Sequence, residues 1–113
     1  MSSPKQPIVP LEEQELDPDP FVQFAAWIDG ARAAGVHEPE ATTLATATSD
    51  GTPSARMVLL RGWGHDGFVF YSNYESRKAG ELDANPRAAL VLHWAMIGRQ
   101  VRVEGSTTRL SAD

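Results

Sequence analysis

Ser76, Arg77 and Lys78 stand together where a short helix should begin, and Arg56 and Arg61 bracket the apolar run Met57-Val58-Leu59-Leu60. These are the residue types and spacings best suited to chemistry, and the chemistry is anion binding. The planar guanidinium fork matches phosphate and carboxylate. A helix start already carries partial positive charge, so cations there cost a few tenths to about 1 kcal/mol unless an anion sits beside them. Free backbone N–H groups at that position bind phosphate, and an arginine and a lysine would complete the site. The alternative is a solvated helix start, with Glu75 and Glu81 neutralising the pair. On an extended strand, alternation puts Arg56 on a face with Val58 and Leu60, and Arg61 on the other with Met57 and Leu59. Without a bulge the two arginines serve two separate anionic groups. The plainer alternative is a pair of strand-end arginines flanking a buried segment.

Elements to position these residues can be read along the chain. Asp19-Pro20 is an N-cap followed by proline at the first helical position. Phe21, Phe24, Ala25, Ile28 and Ala31 recur at helical spacing, Val22 and Trp27 widen that face, and Gly35 suits the C-terminal cap. The expected helix runs from about 20 to 34. Residues 42–49 are β-branched and alternate, Asp50-Gly51 is a hairpin turn, and 53–61 form a second strand. "GWGHDG", 62–67, reads as a glycine-rich turn and 68–73 as a third strand. A short helix from Ser76 to about Ala84 ends at Asn85-Pro86. Residues 87–97 read as a buried strand, Gly98 as a turn and 99–110 as a fifth strand. Five mostly sequential strands with one inserted helix indicate a mainly β, antiparallel barrel or meander. Ser111-Ala112-Asp113 resembles the first turn of a further helix, so the domain, 19–113, is expected to be truncated at its C-terminus.

Composition narrows the classes of function. The chain has 113 residues, is 42% hydrophobic and carries a net charge of −5. That is at most one small folded domain. Residues 1–18 are acidic and proline-rich with no apolar signal region, and are expected to form a flexible arm. No apolar run reaches the roughly 18 residues of a membrane span. The absence of cysteine excludes disulfides, thiolate catalysis and cysteine-bound metal, and agrees with a cytoplasmic location. His37, His65 and His93 are too scattered for a metal site. Trp27, Trp63 and Trp94 read as core or interface residues. Seven arginines lie in residues 41–113, but the acidic total and the lack of a basic-aromatic stripe argue against nucleic acid.

Taken in order and spacing, "RMVLLRG", "GFVFYSNYESRK", "ELDANPRAAL" and "RQVRVEG" resemble the pyridoxamine 5′-phosphate oxidases, flavoenzymes of the FMN-binding split-barrel fold. The resemblance covers about residues 20–110. It implies that Arg56, Met57, Val58 and Leu59 line the FMN, with Arg56 reaching its phosphate. Tyr71 and Ser72 would touch the cofactor, Arg77 and Lys78 would hold its phosphate, and Gln100 would contact it as both donor and acceptor. Arg61 would bind the substrate's phosphate; family members commonly have lysine there, and arginine keeps the charge. The implied reaction is oxidation of pyridoxamine or pyridoxine 5′-phosphate to pyridoxal 5′-phosphate. Hydride passes from the substrate's C4′ to flavin N5, and O2 then takes the electrons to give hydrogen peroxide. No side chain here is assigned as a catalytic nucleophile, because the flavin carries that chemistry. The family implies a homodimer with FMN at the subunit interface. Two departures stand out. The basic, tyrosine-bearing segment found upstream in many members is replaced by an acidic one, and family chains are about twice this length. A related flavoenzyme acting on a phenazine precursor, and a non-catalytic FMN-binding or dimerising remnant, are the alternatives.

Overall fold

The computed structural model describes residues 16–71 and 77–108, with only the backbone of residues 77–79. Within them the order is α1 (Pro20–Ala33), β1 (Ala41–Ala47), β2 (Pro53–Gly64), β3 (Gly67–Phe70), α2 (Arg77–Ala84), β4 (Arg87–Trp94) and β5 (Arg99–Ser106). The expected arm falls almost wholly outside these residues, as does the chain end from Arg109.

All pairings are antiparallel, in the order β3-β2-β1-β4-β5. This is not a simple meander. α2 carries the chain from the β3 edge to the far side of β1, so β1 becomes the central strand.

α1 starts as its sequence dictates. The Asp19 carboxylate accepts from the Phe21 N–H at 2.9 Å, and proline follows at the first helical position. At the other end Gly35 takes φ +92°. Its N–H donates to the Arg32 carbonyl and the Val36 N–H to the Ala31 carbonyl, the paired bonds of a glycine-terminated helix. Phe24, Ile28 and Ala31 are buried as expected, but Val22 is 47% exposed and belongs to the solvent face.

Several expected boundaries differ: β1 ends at Ala47 and β5 at Ser106, short of the expected 49 and 110. β2 continues through Gly62, Trp63 and Gly64, which pair with Val69, Phe68 and Gly67, so the turn is only His65-Asp66. β3 ends at Phe70, short of the expected Asn73. β4 ends at Trp94, where residues Ala95–Ile97 wind into one 3₁₀ turn closed by left-handed Gly98.

The sheet has one covered face. Leu44, Leu60, Leu90, Leu92 and Trp94 project from it to meet Phe24, Ile28 and Ala31 of α1. Burying such a side chain stabilises the fold by roughly 1.5–3 kcal/mol. Phe24 meets Phe68 and Trp63 edge-on at centroid separations of 5.1 and 5.7 Å. The Trp94 indole N–H, also buried, donates to the Pro39 carbonyl at 2.9 Å. α1 covers one end of this face; α2 packs on β1 toward the other, through the Glu81 contacts described below.

Candidate functional site

β2 is the strand that organises the site. Alternation places Ser54, Arg56, Val58 and Leu60 toward the covered face, and Met57, Leu59 and Arg61 toward the open one. A register shift between Leu60 and Gly62 leaves Arg61 as an extra residue opposite β3, a bulge of the kind that re-aims a side chain.

On the open side Met57, Leu59 and Arg61 line a broad cleft with Tyr71, Ala41 and Glu38; Val58 also borders it, although its side chain packs against the core. Met57 is 62% and Tyr71 74% exposed, an uncommon display of large apolar surface. The Arg61 guanidinium carbon lies 5.8 Å from the Tyr71 ring centroid, within cation–π range. Glu38 has φ +46°, a left-handed conformation rare for a residue with a side chain. The cleft thus combines an apolar floor, one aromatic wall and one cation.

On the covered side, where α2 meets the sheet, lies a polar cluster. Arg56 donates from Nη1 to the Thr46 hydroxyl at 2.7 Å and the Leu44 carbonyl at 3.2 Å. From Nη2 it donates to the Ser54 hydroxyl at 2.7 Å and to Oε2 of Glu81 at 3.2 Å. Ser54 donates to the same Glu81 oxygen at 2.7 Å, and Thr46 also donates to it. Thr46 and Ser54 are cross-strand partners. Glu81 is only 6% exposed, so its charge must be compensated, and these three donors do so.

The structure therefore gathers Met57, Val58, Leu59, Arg61 and Tyr71 around one cleft. Arg56 sits on the opposite face, as alternation required. Gln100 is exposed on β5, opposite His93 in register and three strands from β2. Ser72 and the side chains of Arg77 and Lys78 lie outside the described residues. Sequence reasoning missed Glu38, Thr46 and Ser54, and treated Glu81 as a surface charge. The legible signal was polar Thr46 and Ser54 at positions whose neighbours alternate inward. Among the described residues no group of three or more metal-ligating side chains occurs.

A half-barrel sheet with a cationic, apolar-floored cleft on β2 defines a class of protein, the antiparallel split barrels of the FMN-binding kind. The comparisons agree with the geometry. PhzG from Burkholderia lata, solved in complex with tetrahydrophenazine-1-carboxylic acid, superposes with a TM-score of 0.81 at 32% identity, over 88% of this chain and 50% of that one. A pyridoxamine 5′-phosphate oxidase-related, FMN binding protein from Nostoc punctiforme shares the fold with a TM-score of 0.70, over 87% of this chain and 51% of that one. The family model for pyridoxamine 5′-phosphate oxidase matches residues 28–113, and the chain belongs to that family. The pyridoxine/pyridoxamine 5′-phosphate oxidase of Rubrobacter xylanophilus is 54% identical over 103 residues, 91% of this chain and 48% of the relative. That of Cupriavidus metallidurans is 57% identical over 95 residues, 84% of this chain and 45% of the relative. The chain spans about half the length of the curated relatives it matches.

Proposed function

We propose that this chain contributes the flavin-binding half of an FMN-dependent oxidase that converts pyridoxamine or pyridoxine 5′-phosphate to pyridoxal 5′-phosphate. The observation that carries this reading is the joint lining of one cleft by Met57, Val58, Leu59, Arg61 and Tyr71, in a chain of this family. The residues present fit a flavin nucleotide. Met57 and Leu59 offer apolar surface to a planar ring in a cleft that is broad and open to solvent. When bound, FMN supplies the two-electron acceptor that no side chain of this chain can provide.

The chain's own residues bind and orient. Arg77 and Lys78, at the first positions of α2, hold the cofactor's phosphate, with the helix's free N–H groups beside them. Arg56 stands on the other face of β2 and bonds α2 through Glu81 rather than lining the cleft. Tyr71, Ser72 and Gln100 contact the cofactor, and Gln100 does so from whichever copy brings β5 near the cleft. Arg61 takes the phosphate of the substrate; its guanidinium is permanently charged and can bind two oxygens at once. Family membership supports a homodimer with O2 as the electron acceptor.

The test is direct. The purified chain should show a bound-flavin visible spectrum and should release peroxide when given pyridoxine 5′-phosphate in air. Flavin without turnover would support an FMN-binding remnant instead. Replacing Arg77 and Lys78 together by alanine should weaken FMN at least tenfold, since a charged hydrogen bond is worth roughly 1.5–3 kcal/mol. An unchanged flavin titration would reject the phosphate assignment.

A second reading rests on the likeness to PhzG. Under it the same half-site serves a tricyclic carboxylate, and Arg61 pairs with a carboxyl group. Turnover of a reduced phenazine carboxylate without turnover of pyridoxine 5′-phosphate would select it.

A further inference from the structure

We propose that Tyr71 is a positioning residue, whose ring holds the Arg61 guanidinium in the cleft, still fully charged, to receive the phosphate of the substrate. This rests on the substrate-phosphate reading of Arg61 above and deepens it. An exposed arginine swings through many rotamers, and fixing it for a ligand costs binding energy. A carboxylate partner would fix it but would also neutralise it. An aromatic ring attracts the cation without supplying a counter-charge.

Two local features bring the pair together. The register shift between Leu60 and Gly62 leaves Arg61 without a partner on β3, so its side chain is not tied to a cross-strand neighbour. β3 then ends at Phe70, which pairs with Leu60 and packs against the core. Tyr71 follows, so alternation sends its ring to the open face, where it is largely exposed. There the Arg61 guanidinium carbon stands 5.8 Å from the ring centroid.

Other arginines of the fold show the contrast. Arg56 gives its Nη hydrogens to Leu44, Thr46, Ser54 and Glu81, and Arg32 is paired with Asp29 and Glu40. Among the described residues no carboxylate comes within ion-pair distance of Arg61. Glu38 lines the same cleft, but its ion-pair contact is with His37, at 3.2 Å. Arg61 therefore meets the cleft with its charge uncompensated, and its planar fork can engage two oxygens of one phosphate. A lysine there would keep the charge but could neither stack on the ring as a plane nor bind two oxygens in that fixed geometry.

The experiment titrates the full chain, in excess FMN, with 4-deoxypyridoxine 5′-phosphate and with 4-deoxypyridoxine. Both lack the C4′ hydroxyl, so no turnover occurs, and they differ only in the phosphate. Calorimetry compares wild type, Tyr71→Phe, Tyr71→Leu, Arg61→Met and the double variant Arg61→Met with Tyr71→Leu. Both positions are exposed, so neither substitution opens the core. Tyr71→Leu should weaken the phosphate ester about two- to fivefold, the range of an exposed cation–π contact, and leave the free form unchanged. Tyr71→Phe keeps the ring and should bind as wild type does. Arg61→Met should weaken the ester at least about tenfold. Adding Tyr71→Leu to it should cost nothing more, because the ring acts through the arginine. Four results would overturn the role of Tyr71 and leave the substrate-phosphate reading standing: unchanged ester binding by Tyr71→Leu, equal weakening of both ligands, an additive double variant, or Tyr71→Phe as harmful as Tyr71→Leu. An Arg61→Met chain that binds the ester as wild type does, or a wild type that does not prefer the ester, would overturn that reading, and the role of Tyr71 with it.

Discussion

Leu44 is wholly buried at the centre of β1, and the Leu44→Ala chain should lose about 2–5 kcal/mol, read as a lower urea midpoint with an unchanged slope. Its carbonyl also accepts from Arg56, so the same residue joins the apolar core to the polar cluster. The opposite facing of Arg56 and Arg61 was legible in the sequence, because strand alternation is strict over the run between them. The burial of Glu81 was not. An acidic residue in a polar eight-residue helix reads as solvated, and only the position of α2 over Thr46 and Ser54 turns it inward. The role of Gln100 was drawn from family resemblance, and nothing in strand spacing alone could have related it to the cleft.

Elements show why some boundaries were readable and others were not. Asp19 and Gly35 mark the ends of α1 because capping chemistry is local. Gly35→Ala must place a side chain at φ +92° and should cost about 1–2 kcal/mol, measured as a fall in unfolding midpoint. At the other end the His65 side chain bonds the Asp19 carboxyl and, with the Phe21 N–H, holds its pKa below the ordinary aspartate value. A depressed folded-state pKa stabilises the fold above the unfolded value and loses that contribution as pH falls. Stability should therefore decline as pH drops through the usual aspartate range, from about 4 downward. Asp19→Asn should flatten that decline in acid-titrated thermal melts. The glycines of "GWGHDG" misled in the other direction. They look like a loop, but pairing of Gly62 and Trp63 with β3, and the contact of Trp63 with Phe24, hold them extended. Likewise Ala95, Met96 and Ile97 are apolar enough for a strand, yet wind into a turn where Gly98 supplies the left-handed step.

For the whole molecule, the mainly β, antiparallel character followed from strand spacing, but the strand order did not. Sequence periodicity says which face of a strand is apolar, not which strand lies beside it. Among the described residues the order leaves β3 and β5 as edges, and the open face displays Met57 and Tyr71. Unpaired edges and exposed apolar surface favour association with a second chain. Sedimentation velocity should accordingly give a dimer or larger species that shifts with concentration; a monomer across the whole range would argue against a shared site.

Seven register pairs join β1 to β2 and eight join β4 to β5, but only three join β1 to β4. The β1–β2 and β4–β5 ladders are each closed by a short connection, whereas the β1–β4 ladder must bring Thr43 beside Val91. Two hairpins can zip early and locally; their meeting must wait for a long stretch of chain to be drawn in. Substitutions at Thr43 or Val91 are therefore expected to slow refolding more than comparable substitutions within either hairpin, as read by stopped-flow fluorescence.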